Sequence, residues 1–170
     1  EEHGGRIQVG FNRRFAPLIG ATRSVFAGSR DALSIAYRIN AGPIPRDHWI
    51  QDAEVGGGRV VGEVCHFIDL IQYLTGAAPV RVFAQSVIDG DPVNLDRDTL
   101  NVIVTFSNGC IGSVCYIANG DRGLSKERIE IFGGGHTVVI EDFRRGWAYE
   151  NGKRRRIRAA GGKGYRQEVE

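Results

Sequence analysis

The second half of the chain alternates apolar and polar residues in short segments, and this period of two constrains the fold more than any other feature. Side chains on a β-strand point alternately to the two faces of a sheet, so such segments predict strands with one buried face. Glycine, asparagine and aspartate separate the segments, as turns require. The predicted strands are VRVFAQSVI (80–88), TLNVIVTFS (99–107), CIGSVCYIA (110–118), ERIEIFG (127–133), HTVVIED (136–142), GWAYE (146–150) and KRRRIR (153–158).

Two connections between these strands have the residues of tight hairpins. They are Asn108-Gly109 and Asn151-Gly152. A type I′ turn needs positive φ at both central residues, and asparagine and glycine adopt that conformation at low cost. We therefore expect the later strands to pair antiparallel, as one meander.

The first 80 residues mix strands with helices. Strands are predicted at 6–11 and 32–40 from their apolar patterns. Helices are predicted at 17–28 and 60–74, and a third begins near residue 163. Helices that are segregated from a run of strands indicate an α+β fold. We expect a large, mostly antiparallel open sheet with helices on one face.

The composition limits the classes of partner that the protein could bind. The 170 residues are 42% hydrophobic, which is enough for a packed core, and the net charge of +2 provides no field that would gather nucleic acid or anionic lipid. No apolar run approaches the length of a membrane span. An odd number of cysteines, three, argues against a disulfide framework and suits a reducing compartment. We expect a cytoplasmic protein that binds neither nucleic acid nor membrane.

The basic segment KRRRIR (153–158) allows two interpretations. Clustered arginines are typical of phosphate binding. On a strand, however, Arg154, Arg156 and Arg158 share one face. Charged side chains of this kind protect the edge of a sheet from aggregation. We favour the edge strand over a nucleic-acid site.

The predicted helix 60–74 carries three ionisable residues on an otherwise apolar segment. Glu63, His66 and Asp69 are spaced by three, so they share one helix face. That stripe is either a solvated face or a site. The triple glycine 56–58 favours a site, because it allows close backbone approach and leaves unpaired N–H groups at the helix start. We expect the His66 ring to project into an open cleft and to exchange a proton with a substrate hydroxyl.

Two stretches carry a family resemblance. YRINAGPIPRDHWI (37–50) and GGGRVVGEVCHFIDLIQYLTG (56–76) resemble the C-terminal domain of the glucose-fructose oxidoreductase and inositol dehydrogenase family, the Gfo/Idh/MocA group. VGFNRRFAP (9–17) is similar to the last Rossmann strand of that family, and IEIFGGGHTVVIED (129–142) to its late hairpin. The resemblance implies an enzyme that binds NAD or NADP on a Rossmann half and a sugar or polyol on the sheet half. A hydride then leaves or joins a substrate carbon.

The same resemblance divides the chain. Residues 1–13 are expected to be a remnant of the last Rossmann strand, and the chain start looks like an internal cut. Residues 14–170 are expected to be a substrate-binding and oligomerisation domain. The sequence has no G-x-G-x-x-G fingerprint and no lysine followed by proline, so we expect this fragment alone to be inactive and to bind no cofactor. The second sheet face suggests a homodimer.

The resemblance also implies roles for individual residues. His66 matches the helical histidine of the family, which the resemblance implies is the partner for proton transfer or for the substrate hydroxyl. The family often has an aspartate four residues earlier, but Gly62 occupies that position here, so the neighbouring Glu63 is the candidate catalytic carboxylate. Asn12 and Arg13 resemble positions that face the nicotinamide. The candidate substrate-binding residues are Arg38, Asn40, His48, Trp49 and Tyr165.

Alternative interpretations are a metal site and a non-catalytic module. No C-x-x-C or H-E-x-x-H pattern occurs, so we predict no metal. The serious alternative is a sheet that only mediates dimerisation, with a solvated polar stripe. For Tyr165, packing of the ring on the sheet is an alternative to closure over the substrate.

Overall fold

A computed structural model describes residues 9–45, 47–52, 54–87 and 98–170. In these ranges the strands are β1 (Ser34–Asn40), β2 (Pro79–Ser86), β3 (Leu100–Phe106), β4 (Ile111–Ile117), β5 (Glu127–Gly133), β6 (His136–Glu141), β7 (Arg145–Glu150) and β8 (Lys153–Arg156). The α-helices are α1 (Pro17–Phe26), α2 (Cys65–Thr75) and α3 (Tyr165–Val169). The shorter elements are 3₁₀ turns at Asn12–Phe15 and Trp49–Gln51 and a π turn at Val60–Val64, which leads into α2.

These strands form a single sheet in the order β2-β3-β4-β1-β5-β6-β7-β8. Neighbours pair antiparallel except for β1 and β4, which run parallel. The predicted α+β fold with a large, mostly antiparallel open sheet is therefore confirmed. The prediction of one continuous meander is wrong, because β1 is inserted between β4 and β5 and separates two shorter meanders.

Alternation along β1 shows how the sheet acquires two different faces. Tyr37 and its neighbours at 35 and 39 are buried, whereas Arg38 lies on the opposite side. The Tyr37 ring meets the Phe67 ring of α2 edge to face, with 5.1 Å between the ring centroids. The face that carries Tyr37 is thus the helix-covered face, and the face that carries Arg38 is open.

Helix α2 approaches the sheet closely at Gly112 of β4. A Cβ at this position would lie 2.5 Å from Cγ2 of Ile71, so only glycine allows the present separation. Helix α1 covers the other half of the sheet, against β6 and β7. The two helices therefore share one face, as the sequence predicted.

The open face carries large apolar side chains that remain accessible. Phe83 is 63% exposed, and its cross-strand neighbour Ile103 is 41% exposed. Phe132 of β5 is 41% exposed on the same face. A patch of this kind marks a surface for association.

The two predicted Asn-Gly hairpins differ. Asn151 and Gly152 have φ values of 50° and 71°, which is the predicted type I′ pattern. At the other site only Gly109 has positive φ, at 84°, and its N–H donates to the carbonyl of Phe106. The prediction for Asn108 is wrong, because the longer connection between Phe106 and Ile111 lets glycine alone take the left-handed conformation.

Two of the predicted strands extend beyond the residues that the structure describes. Of the predicted strand 6–11, residues 6–8 lie outside the described residues, and residues 9–11 are not in a strand. The last residue of the predicted strand 80–88, Ile88, also lies outside them. In the described part of the chain, no helix is both long and apolar enough to cross a membrane.

Candidate functional site

The polar stripe of α2 faces the 3₁₀ turn and α1 instead of solvent. Arg14 donates Nε to Oδ2 of Asp69 at 3.0 Å and makes a second, shorter contact through its Nη2. One turn further on, Arg23 donates to the hydroxyl of Tyr73 at 3.0 Å. A simple solvated stripe is therefore excluded at Asp69, whose side chain is 10% exposed.

His66 is partly buried at the junction between α2 and the chain start. Its ring lies edge-on to Phe11, with 5.3 Å between centroids, and Nδ1 is buried with no hydrogen-bond partner among the described residues. Burial and, secondly, the charge of Arg13 lower the pKa of His66, although three carboxylates nearby act in the opposite direction. The imidazole is consequently neutral near pH 7 and able to accept a proton.

Glu63 is held from two sides within the π turn. The Tyr116 hydroxyl donates to its Oε2 at 2.6 Å, and Nη2 of Arg59 lies 3.8 Å from the same oxygen. Arg59 is only 2% exposed, and its Nη1 donates to the carbonyl of Gly42 at 2.8 Å. Burial and the hydrogen bond to Glu63 raise the pKa of Tyr116. The tyrosine thus stays a donor and keeps the carboxylate in place.

Arg59 and Tyr116 are functional candidates that the sequence analysis missed. Arg59 precedes Glu63 by four residues, a spacing that favours a helical ion pair, and this was the available signal. No local sequence pattern indicated Tyr116, because its partner Glu63 lies 53 positions away along the chain.

The triple glycine leaves fewer backbone N–H groups unpaired than predicted. Gly57 and Gly58 have φ values of 67° and 83°, so the left-handed conformation expected of glycine is present. However, the N–H groups of Gly56 and Gly57 both donate to the carbonyl of Asp52, at 2.9 and 3.0 Å. The prediction of unpaired N–H groups is therefore wrong for these two residues.

Beneath the site lies a buried ionic cluster centred on Glu127. This carboxylate is 1% exposed and accepts from Nε and Nη2 of Arg13 at 2.9 and 3.1 Å. The Tyr37 hydroxyl and the Lys163 ammonium also donate to it. The Arg13 guanidinium in turn lies 4.6 Å from the centroid of the Phe67 ring. The cluster joins the chain start, β1, β5 and the segment before α3.

Asn12 and Arg13, the predicted cofactor contacts, already have partners within the chain. Asn12 is 3% exposed and donates Nδ2 to the carbonyl of Lys163 at 2.8 Å. The guanidinium of Arg13 is engaged by Glu127. Both side chains are therefore held by contacts within the chain. A contact with nicotinamide stays a prediction.

Arg38 and Asn40 are not brought together with His66. Arg38 lies on the open sheet face, where it donates to the carbonyl of Ser125 at 2.9 Å. Asn40, at the end of β1, is 6% exposed and donates to the carbonyl of Asp121 at 2.6 Å. Both anchor the connection between β4 and β5, and a role in substrate binding stays a prediction for each.

The other predicted substrate residues are accessible. His48 accepts the N–H of Ile50 at 3.3 Å through Nδ1, and the adjacent Trp49 is 61% exposed. Gly56 packs against this turn, since a Cβ there would overlap Ile50, so the loop flanks the start of the π turn. Tyr165 is 66% exposed, and the alternative in which it packs on the sheet is wrong. Across the described ranges, no group of three potential metal ligands occurs.

Two curated relatives are similar to most of this chain. The first, an uncharacterized oxidoreductase, YrbE, of Bacillus subtilis (strain 168), is 26% identical over 146 residues, which is 84% of this chain and 42% of the relative. The second, inositol 2-dehydrogenase of Rhizobium meliloti (strain 1021), is 27% identical over 145 residues, covering 82% of this chain and 42% of the relative. The chain thus spans less than half the length of the relatives it matches.

A solved structure and a family model agree with this similarity. Levoglucosan dehydrogenase in complex with NADH and levoglucosan superposes with a TM-score of 0.67 at 22% identity, covering 92% of this chain and 48% of that one. Residues 23–139 match the model of the GFO/IDH/MocA C-terminal domain. Because that match covers more than half of the chain, this protein belongs to the family of GFO/IDH/MocA C-terminal domains.

Proposed function

We propose that this chain is the substrate-binding half of an NAD(P)-dependent oxidoreductase that acts on a hydroxyl of a sugar or polyol. His66 is the group that exchanges the hydroxyl proton. The observation that carries this proposal is the His66 imidazole itself, whose buried Nδ1 has no partner among the described residues. Inositol and levoglucosan, named in two of the relatives, are the reason for the substrate class.

The proton step follows from the protonation state of His66. Oxidation of an alcohol removes a hydride from carbon and a proton from oxygen, and a neutral imidazole is suited to receive the proton. Glu63 provides a negative charge that favours the resulting imidazolium, while Arg13 disfavours it. Burial and Arg13 together outweigh the carboxylates, so the pKa of the imidazole stays below its ordinary value and the ring is neutral before it receives the proton.

The cofactor is assigned to another part of the whole protein. Asn12 and Arg13 are occupied within the chain, and the 170 residues contain no dinucleotide fingerprint. We therefore propose that NAD or NADP binds a Rossmann domain elsewhere in the whole protein, N-terminal to the sheet domain. That domain supplies the hydride acceptor, and the residues described above supply the proton acceptor and the substrate surface.

Replacing His66 by alanine in the full-length enzyme is expected to lower kcat/KM by roughly a hundredfold or more, because general-base catalysis is removed. Steady-state kinetics with a polyol substrate and circular dichroism of the same sample measure activity and folding separately. His136→Ala is the matched control, because this second partly buried histidine lies in β6 beside Glu150, at 3.7 Å. Unchanged turnover in His66→Ala would refute the proton-transfer role and favour a non-catalytic dimerisation module.

The open sheet face is proposed as the interface of a homodimer. Ile103→Arg is expected to convert the dimer to a monomer, because a charge replaces an apolar contact at its centre. Val82→Arg is the control, since Val82 is also exposed, at 62%, but pairs with Val104 on the helix-covered side. Sedimentation analysis of the full-length protein measures the mass. A dimer that persists in Ile103→Arg would contradict this interface.

A further inference from the structure

Three carboxylates influence the charge state of His66, and two of them are already occupied. Asp69 is bound by Arg14 through two hydrogen bonds. Glu63 accepts from Tyr116. The third is Glu168, which belongs to α3 at the other end of the sequence. Only Glu168 among these three has a buried oxygen, Oε1, without a hydrogen-bond partner in the described part of the chain.

The C-terminal segment is fixed against the chain start by two contacts. Lys163 donates to Glu127, and its own carbonyl accepts from Asn12. Gly164, with φ of 85°, follows directly, and a Cβ there would overlap the carbonyl of Asn12. The first turn of α3 therefore starts in direct contact with the 3₁₀ turn.

Glu168 lies one turn further along, against Gly10. Its N–H donates to the carbonyl of Gly164 at 2.9 Å, which sets its position on α3. A Cβ at Gly10 would overlap the carboxylate of Glu168, so the absence of a side chain at residue 10 makes room for it. The next residue, Phe11, contacts the His66 ring. The carboxylate and the imidazole thus both lie against this dipeptide.

His66 and Glu168 have complementary hydrogen-bonding groups. Nδ1 of the imidazole and Oε1 of the carboxylate are both buried and unpaired among the described residues. A buried polar atom without a partner costs free energy, so a donor and an acceptor that lie near each other are expected to pair. A histidine used as a base also needs one ring nitrogen fixed, because that bond decides which nitrogen faces the substrate.

We propose that Glu168 is the positioning residue of His66: its carboxylate accepts the Nδ1–H and leaves Nε2 free for the substrate hydroxyl. This inference rests on the proposed function of His66. The two atoms are not within hydrogen-bond distance in the present structure, so the bond forms by a rotation of the glutamate side chain. In the proton step Nε2 gains the hydroxyl proton and Nδ1 keeps its own, so Glu168 remains a carboxylate throughout.

The test is Glu168→Gln in the full-length enzyme. We expect kcat/KM to fall by about tenfold or more, because the amide oxygen of glutamine is a weaker acceptor of the Nδ1–H than a carboxylate and carries no charge to favour the imidazolium. The charged groups that face His66 are Arg13, Glu63, Asp69 and Glu168, and removing the last of them removes a charge that raises the pKa of the imidazole. The acid limb of the pH profile should therefore move to lower pH. NMR titration of the His66 ring should show the same shift without reference to activity.

Two further variants complete the experiment. Glu170→Gln is the matched control, because Glu170 directly follows α3 and its exposed carboxylate pairs only with Arg166 among the described residues. Both the pH profile and the titration should stay as in the wild type. Gly10→Ala narrows the space in which the Glu168 carboxylate rotates towards Nδ1, without changing its charge, and should also lower kcat/KM.

The outcomes separate this inference from the proposed function. If His66→Ala leaves turnover unchanged, the proposed function fails. A different result is that His66→Ala abolishes turnover while Glu168→Gln keeps the wild-type pH profile and titration. In that case the role of His66 as the base stands, and only the positioning role of Glu168 is overturned. A shift in both measurements with Glu168→Gln, absent in Glu170→Gln, supports it.

Discussion

Replacement of Glu127 by glutamine is expected to lower the free energy of unfolding by about 3–5 kcal/mol, because it leaves buried positive charge without its counterion. Arg13 and Lys163 both bind this carboxylate, and Tyr37 donates to it as well. Glutamine keeps the shape of the side chain but has only one acceptor oxygen and no charge. The decrease in the free energy of unfolding is therefore due to the broken ion pairs and not to a cavity.

Urea denaturation of the full-length protein, followed by circular dichroism, measures this loss. Glu130→Gln is the control, since Glu130 lies on the same strand, β5, but on the open face, and is 34% exposed beside Arg128. A pair of this exposure contributes about 1 kcal/mol or less. Equal losses in the two variants would show that the buried cluster has no special role in stability.

The difference between wild type and Glu127→Gln should also depend on pH. Burial by itself would raise the pKa of Glu127, but the hydrogen bonds and charges of Arg13 and Lys163 outweigh it and lower the pKa to about 2 from 4.5. A carboxyl whose pKa is lower in the folded state stabilises the fold fully above its unfolded pKa and loses that effect as pH falls through the folded value. The difference should therefore be constant above pH ~5 and shrink between pH ~4.5 and ~2.

Truncation of Phe67 to alanine is the second large effect, with an expected loss of about 3–5 kcal/mol. Phe67 is 1% exposed and follows His66 directly on α2. Its ring lies between those of Tyr37 and Tyr116, with centroids 5.1 and 6.0 Å away. Alanine would leave a cavity between the helix and the sheet and would remove the aromatic surface over which Arg13 lies.

The same denaturation experiment measures this variant. Phe15→Ala removes the same atoms from a ring that is 43% exposed, and we expect it to cost about 1 kcal/mol. A Phe67→Ala protein that stays within 1 kcal/mol of wild type would mean that α2 does not depend on this contact. His66 would then be positioned by its other neighbours alone.

Local patterns in the sequence were sufficient for β1 to β8 and for α1, although they also predicted a strand at 6–11 whose described residues are not in a strand. β5, for example, has the predicted limits Glu127–Gly133, because alternation and flanking turn residues are properties of neighbouring positions. The insertion of β1 between β4 and β5 was not predictable in this way. It depends on pairing between residues such as Ile39 and Glu127, which are far apart along the chain.

The candidate site shows the same division. The spacing of Glu63 and His66 on a helix drew attention to them from the sequence, and the polar stripe is indeed used for contacts. In the sequence, Glu127 is only the first residue of a predicted strand, and its partner Arg13 is 114 positions away. Glu168 likewise lies against Gly10, beside the Phe11 that contacts His66, only because α3 returns to the chain start. The helical and strand periodicities of a sequence do not predict contacts between residues that are so far apart along the chain.

The central location of β1 has a consequence for how the protein is made. Ser34–Asn40 leaves the ribosome early, yet β4 and β5, the strands on either side of it, follow much later. At roughly 5–20 residues per second, the segment waits for roughly 5–20 s before Glu127 has been added opposite Ile39. During that interval both of its edges are open to association with other nascent chains. We therefore expect the non-local pairing of β1 to slow the folding of this domain.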